Sequence, residues 1–416
     1  MVQRATAGPD SPGNGNLLVI VKKFPKLSET FILGELHALA DRGYNIFILS
    51  LNRPDEDMMQ PRAERFCSSI CYCDRTLQWY LELFLSLSWM LLQPIASYRA
   101  LHPNRDFGIR IILQGIWLAR YCRLADIQHL HAHYFAATSE VAAVAAGISG
   151  NTFSISAHAK DIYLSDQARV QSLVERCDFV ATCTQHNVDH LQRMTIEPQR
   201  VHRVYHGIDV DFFKPTLEKK QRIPLILAVG RYRKKKGFDL LIQACALLRQ
   251  RQQSFQCAIV GYGEEKNDLA QLIRELDLEA QVSLVAPMNH DALKSYYERA
   301  SVFAMPCRIT EDGDRDGIPN VMLEAMSMGL PVVAAAVTGV PEVVENRSNG
   351  LLFPAERADA LATGLCEILS CSETARHFSA AARRKILGQF TWEKNVESLI
   401  GLLEQVMLKN TGRHQP

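Results

Sequence analysis

The feature that most constrains this chain is a rhythm. Short apolar runs are each followed by a segment of helical spacing, and the series starts again halfway along. LLVIV at 17–21 has the form of a parallel strand covered on both faces. The loop KKFPKLSET follows, then FILGELHALADRG. There Phe31, Leu33, Leu36, Leu39 and Ala40 share a helical face and Gly43 closes the helix. NIFILSL at 45–51 is the next strand, which completes a βαβ unit. Further strands are predicted at 129–134, 151–158, 178–184 and 201–207, with helices near 107–124, 136–148 and 165–176.

KPTLEKKQRIP at 214–224 is polar, carries two prolines and reads as a linker. Beyond it the pattern resumes. Strands are predicted at 224–230, 256–261, 282–288, 302–306 and 330–336, with helices at 238–251, 264–277, 290–300 and 319–328. The expected organisation is a flexible tail at 1–14, one doubly wound α/β domain at 15–213, a second at 214–390, and a closing helix at 391–410. A length of 416 residues agrees with two or three domains. Two such sheets facing one another make a cleft, and ligands of these sheets sit beyond the carboxyl ends of the strands.

Charge and cysteine content narrow the setting. Forty-six basic residues against 45 acidic ones give a net charge of +1, so no basic excess points to nucleic acid. Eleven cysteines, an odd and sparse set, fit a reducing compartment. Cys67, Cys71 and Cys73 cluster without a second Cys/His pair, so no metal is expected there. The first residues, MVQRATAGPDSPGNGN, have no apolar signal-like core, and the expectation is a cytoplasmic protein. The apolar segment 77–101 is interrupted by Glu82, Gln93 and Pro94. It falls short of a clean spanning helix, which leaves a covered helix or one lying in a membrane interface.

The strand-to-helix loops carry the chemistry. GRYRKKKGFD runs from Gly230 through Arg231 and Lys236 to a helix start, a placement suited to a diphosphate. Gly261 and Gly263 follow a strand, but Lys266 stands where the dinucleotide fingerprint needs its third glycine. Asp312, Asp314, Asp316 and Gly317 resemble the start of a calcium loop, yet its twelfth position is Leu323, so calcium is not expected. Asp316 and Glu324 instead bracket a helix start. One carboxylate there can meet a ligand and the other can accept from a pair of hydroxyls such as those of a ribose. His133 and His158 end strands, with Asp161 close behind His158. A lone strand-end histidine is more often structural than catalytic, and the carboxyl edge of a parallel sheet raises the functional share for His158.

GRYRKKKG, GYGEE, DGIPNVMLEAMSMGLPVVAAAVTGVPEVVENRSNGLLF and VYHGIDVDFF resemble the retaining, nucleotide-sugar-dependent glycosyltransferases of family 4. FPKLSETFILGEL and SAHAKDIY resemble the branch acting in exopolysaccharide and colanic-acid-type biosynthesis. The resemblance implies the GT-B fold, with two Rossmann-like domains facing a cleft. It implies Arg231 and Lys236 at the donor diphosphate, Glu324 at the ribose, and Gly230, Gly261 and Gly263 lining the donor. Asp316 with the backbone of Gly317, Ile318, Pro319 and Asn320 would meet the donor sugar. His158 would stand near the reacting centre, and Ser28, Glu29, Thr30, His133 and Asp161 on the acceptor side. No metal or cofactor is implied, since the nucleotide sugar is a co-substrate. The acceptor would be a glycan or a lipid-linked sugar; a lipid-linked acceptor would bring segment 77–101 to the inner face of the cytoplasmic membrane, and the alternative is that the segment is simply buried. A small-molecule glycosyltransferase and a binding protein with a degenerate site are the alternatives. The chain departs from the family pattern in having Asp316 in place of glutamate, one methylene shorter.

Overall fold

The computed structural model describes residues 14–411 apart from 28, 55–58, 74–75, 93, 95–97, 99–101, 105 and 216–221. Most of the predicted tail, the middle of the predicted linker, and part of the 77–101 segment therefore lie outside the described residues. The chain divides into two units. One comprises residues up to 183, 187–205 and 396 onward; the other comprises 184–186 and 206–395.

The first unit is built on a seven-stranded parallel sheet in the order β3-β2-β1-β4-β5-β6-β7. Its strands are β1 (Asn16–Lys23), β2 (Asn45–Asn52), β3 (Ile70–Tyr72), β4 (His129–His133), β5 (Thr152–Ala157), β6 (Phe179–Thr182) and β7 (Val201–Arg203). The chain starts in the middle, winds outward to β3, then crosses back and winds outward the other way. The switch point falls between β1 and β4. Both faces of β1 are apolar, as its composition requires. Leu17, Val19 and Val21 pack with the helix Thr30–Asp41 and with Val396, Leu399, Ile400 and Leu403 of the last helix. Leu18 and Ile20 pack on the other side with the helices Ile109–Leu124 and Ala137–Ser149.

The second unit holds a six-stranded parallel sheet in the order β10-β9-β8-β11-β12-β13. Its strands are β8 (Leu225–Val229), β9 (Gln256–Val260), β10 (Val282–Val285), β11 (Val302–Met305), β12 (Val332–Ala335) and β13 (Leu351–Phe353). Here the switch point lies between β8 and β11. Their following loops carry Gly230–Gly237 and Pro306–Pro319, so the two motif-bearing stretches meet at the crevice where such sheets bind ligands.

Most predicted elements lie within a few residues of their observed ends. The strand expected at 201–207 stops at Arg203. In the first helix the buried stripe is Ile32, Leu33, Leu36 and Leu39, and Phe31 is only partly buried. Segment 77–101 contains a helix, Leu77–Leu91, that presents Leu77, Tyr80, Leu81, Phe84, Leu85 and Leu91 to solvent. Leu83 and Ser86 face inward, and Glu82 pairs with Arg120 at 2.7 Å. Among the described residues no helix is long and apolar enough to cross a membrane. All eleven cysteines are free thiols.

The glycines after β9 have a local cause. A Cβ on Gly261 would stand 1.9 Å from the Gly230 carbonyl oxygen, and one on Gly263 would stand 2.4 Å from that of Tyr232. The Tyr232 N–H bonds the Tyr262 carbonyl at 2.6 Å. The glycines thus let one loop's backbone lie directly on the other's. Gly261→Ala should lower unfolding stability by about 2–4 kcal/mol, because only backbone can yield. Denaturant titration against wild type checks this, and an unchanged midpoint refutes it.

Candidate active site

In the second unit the chain leaves β8 at Gly230, makes a short 3₁₀ turn at Lys234–Lys236 and enters the helix Phe238–Gln250 through Gly237. Gly237 is left-handed (φ 66°), and a Cβ there would meet the Pro306 carbonyl oxygen at 2.0 Å. Glycine is therefore required where this turn presses on the end of β11. The turn aims the lysines at the loop that follows β11.

That loop carries Asp316. Lys236 Nζ stands 2.6 Å from its Oδ2, and Lys235 Nζ stands 3.3 Å from its Oδ1. Burial disfavours charge on Asp316, but Lys236 and then Lys235 outweigh it and hold the carboxyl well below the usual carboxylate range. Burial likewise works against the Lys236 ammonium, and Asp316 more than compensates, so its pKa is raised. Cys307 lies against the same carboxylate, Sγ to Oδ2 3.5 Å. Burial, followed by the charge of Asp316, pushes its thiol up and keeps it unreactive. Thr338 donates to the carbonyls of Asp316 and Gly317 at 2.6 and 3.1 Å and fixes the loop from below.

Asp314 accepts from Lys235 at 2.9 Å, and Asp312 accepts from Thr310 and from the Asp314 N–H. The three acids that look like a calcium loop are thus taken up by lysine and by their own turn. After Gly317 and Ile318, Pro319 caps the helix Asn320–Ser327. Pro319 has no N–H, so of the four residues expected at the donor sugar only Gly317, Ile318 and Asn320 can donate from the backbone.

Glu324, in the second turn of that helix, is buried. Tyr297 on the helix His290–Arg299 donates to its Oε2 at 2.8 Å, and His290 Nε2 lies 3.4 Å from its Oε1. One carboxylate oxygen is therefore locked and the other lies beside an imidazole at 24% exposure. Burial, and then the Glu324 charge, holds the Tyr297 hydroxyl well above its ordinary pKa, so it stays a donor.

In the first unit, β4 places His129, His131 and His133 on one face, opposite Thr152, Ser154 and Ser156 of β5 in register. The rings and hydroxyls form a buried ladder. His129 meets Thr152 and Ser154 at 2.8 and 2.7 Å, and His131 meets Ser154 and Ser156 at 2.7 and 2.9 Å. Burial lowers the pKa of both rings. Glu35 reaches the ladder from the helix Thr30–Asp41, its Oε1 3.3 Å from His131 Nε2 and 3.2 Å from His133 Nε2. This trio has the donor types of a cation site, but both nitrogens of His131 already have hydroxyl partners. Burial raises the Glu35 carboxyl, yet His133 and His131 outweigh it and lower it overall.

His133 Nδ1 stands 3.5 Å from His158 Nε2, with the two rings parallel. His158 also lies between the rings of Phe31 and Tyr134, 4.6 and 4.7 Å away. Asp161 accepts from the N–H groups of Phe135 and His158 at 2.7 and 3.0 Å. Burial pushes its carboxyl up to about 7 against these donors. Glu29 pairs with Lys26 at 2.8 Å, and Thr30 opens the first helix. Ser28 lies outside the described residues.

The structure therefore gathers Gly230, Lys236 and Asp316 in one place in the second unit, with Glu324 one turn deeper in the helix beyond. It gathers His133, His158 and Asp161 in the first unit. Sequence reading missed Lys235, His290, Tyr297, Glu35, His129 and His131. The alternation HLHAH opposite TFSIS was the one available signal, since period-2 histidines on a buried strand must face period-2 hydroxyls.

The two sheets and their motif-bearing loops are those of the GT-B class of glycosyltransferases. Residues 28–212 match the family model "Glycosyltransferase Family 4" and residues 209–385 match "Glycosyl transferases group 1". The chain is thus a glycosyltransferase carrying both domains of this family. It is 28% identical to the amylovoran biosynthesis glycosyltransferase AmsK of Erwinia amylovora, over 94% of this chain and 99% of that one. It is 27% identical to WcaL of Salmonella typhimurium, a glycosyltransferase assigned to colanic acid biosynthesis, over 92% and 98%. Among solved structures, Anabaena Alr3699/HepE in complex with UDP-glucose shares the fold. Its TM-score is 0.72 at 16% identity, over 94% of this chain and all of that one.

Asp161 supplies a test with a definite sign. Its folded-state pKa is raised, so the folded protein holds a proton that the unfolded chain releases near pH 4. Its contribution to stability is therefore largest at low pH and falls as pH rises toward about 7. The difference in stability between Asp161→Asn and wild type should shift in the variant's favour across that window. Urea melts at pH 4.5, 6 and 7.5 read it, and a pH-independent difference refutes the assignment.

Proposed function

We propose that the chain transfers a sugar from a nucleoside-diphosphate sugar to a glycan or lipid-linked acceptor in the synthesis of an exopolysaccharide or another cell-surface polysaccharide. Transfer proceeds with retention at the anomeric carbon and without a metal ion. The observation that carries this reading is the arrangement at the β8/β11 switch point. A cationic turn opens a helix there, and a buried glutamate oriented by Tyr297 stands in the helix beyond. AmsK and WcaL are named for polysaccharide synthesis, and HepE is described with UDP-glucose, which supports the donor and acceptor classes.

In this reading Arg231, Lys236 and the N-terminus of the helix Phe238–Gln250 take the diphosphate and stabilise the charge that grows on it as the glycosidic bond breaks. Glu324 accepts from the ribose hydroxyls through Oε1. Asp316 and the N–H groups of Gly317, Ile318 and Asn320 orient the sugar. Asp316 is paired with two lysines, which suits a polar contact and not the acid or nucleophile of a hydrolase. His158 lines the sugar side, with Glu29, Thr30, His133 and Asp161 toward the acceptor.

A thermal-shift screen against UDP-, GDP-, dTDP- and ADP-sugars tests this directly. Ligand at about 100 times its Kd adds about 2.7 kcal/mol of stability. One nucleotide class should shift the melting temperature. Arg231→Ala, Lys236→Ala and Glu324→Ala should each weaken it about tenfold or more. Unchanged affinity in all three variants refutes the site.

The second part of the proposal is contact with the inner face of the cytoplasmic membrane. It rests on the helix Leu77–Leu91, whose exposed Leu77, Tyr80, Leu81, Phe84, Leu85 and Leu91 recur at helical spacing on one face. The protein should co-sediment with anionic phospholipid vesicles, and Leu81→Glu with Phe84→Glu should abolish most of this while leaving the melting temperature in place. Equal sedimentation of variant and wild type would remove the helix from the argument.

A further inference from the structure

The charge run Arg231–Lys236 contains two lysines that touch the same carboxylate in different ways. Lys235 is buried, its side chain 7% exposed. Its ammonium faces three oxygens, one for each of its donors: Asp314 Oδ1 at 2.9 Å, the Arg315 carbonyl at 3.3 Å and Asp316 Oδ1 at 3.3 Å. Its own carbonyl accepts from the Arg308 N–H at 2.9 Å. Lys235 is therefore anchored to the loop after β11 by main chain and side chain together. Lys236 faces the other oxygen, Asp316 Oδ2, at 2.6 Å, and its stem lies along Gly230 on the opening of the phosphate turn.

We propose that Lys235 is a positioning residue that holds Asp316 by one oxygen, so that a donor diphosphate can draw Lys236 away and leave the other oxygen facing the donor sugar. The inference rests on the proposed roles of Lys236 and Asp316. A diphosphate carries more negative charge than a single carboxylate oxygen, so it competes successfully for the Lys236 ammonium. Released from Lys236 alone, a short aspartate side chain would be free to turn. Lys235, with all its donors engaged in the same loop, removes that freedom. Asp316 then presents Oδ2 to a sugar hydroxyl only after the diphosphate has arrived. Sugar recognition is thereby made conditional on phosphate recognition, and the lysine next to the phosphate-binding one sets specificity without touching the nucleotide.

The experiment compares affinities for a nucleoside diphosphate and for its sugar ester. Calorimetry would use UDP with UDP-glucose, and GDP with GDP-mannose in parallel, on the full chain. Lys235→Met should bind the diphosphate within about twofold of wild type but lose about tenfold in affinity for the nucleotide sugar. Asp316→Asn should show the same sugar-dependent loss. The double variant Lys235→Met/Asp316→Asn should be no weaker than either single one, because both remove one interaction. Lys235→Arg should recover part of the loss. Removing Lys235 leaves Asp314 unpaired, so Lys235→Met/Asp314→Asn serves as the folded counterpart if the single variant does not fold.

Equal weakening of diphosphate and nucleotide sugar overturns the positioning role, and so do additive losses in the double variant or no loss at all. Failure of wild type to bind the diphosphate or the sugar ester of any of the four nucleotide classes, UDP, GDP, dTDP and ADP, overturns the donor-site reading itself. Binding of diphosphate by wild type with no added affinity for the sugar ester overturns only the role given to Lys235.

Discussion

The second unit of this protein is organised around one carboxylate that would be costly to keep charged without its neighbours. Asp316 stands in a mostly buried position, and each of its oxygens faces a lysine. Desolvation of such a group is offset only where the partners are close and fixed, and removing one partner of a buried pair typically costs about 3–5 kcal/mol. The elements around it satisfy that demand. Gly237 lets the lysine turn press on the end of β11, the glycines after β9 let a second loop lie beneath the turn, and Thr338 ties down the carbonyls beside the acid. The same geometry that neutralises Asp316 brings a cationic turn and a helix N-terminus to the crevice between β8 and β11.

The first unit meets the problem of buried polarity differently. Two imidazoles on β4, His129 and His131, and three hydroxyls on β5 bond one another in register, and Glu35 lies against His131 and His133 at the upper end of the ladder. Apolar side chains fill the other face of the same strands. The sheet is thus dry on one side and internally hydrogen-bonded on the other. The ladder ends at His133, beside His158, and the buried Asp161 fixes the backbone of both His158 and Phe135. A ladder of this kind has little slack, because every ring nitrogen that turns away leaves a buried group without its partner.

Most of this architecture was legible in the residue pattern. Runs such as LLVIV and PLILAVG identify themselves as covered strands, and their order relative to helices fixes two doubly wound sheets. The short edge strands β3 and β13 and the helices at 358–370 and 372–389 were less visible. Three-residue edge strands give too few positions for any period to register. In the second unit, Lys236, Asp316 and Glu324 could be singled out because motif spacing places them at strand ends and a helix start. Lys235, Tyr297, His290 and Glu35 could not. Their roles depend on which oxygen each one faces across a gap between elements, and that is decided by packing. The sequence does not show that the glycines after β9 also let a neighbouring stretch of main chain lie against them.

The last helix has a consequence for how the molecule comes into being. Val396, Leu399, Ile400, Leu403 and Val406 belong to the core shared by β1, β2 and the helix Thr30–Asp41. The residues that complete the first unit's sheet are thus made only after the second unit. At about 5–20 residues per second, roughly 10–40 s of synthesis separates residue 206 from residue 395. Throughout that interval Leu17, Val19, Leu36 and their neighbours lack part of their cover, while the second unit is made as one nearly continuous stretch. Birth order and completion order are therefore inverted in this chain. The nascent first unit must wait with an open apolar face, an obvious place for a chaperone to rest until the final turns arrive.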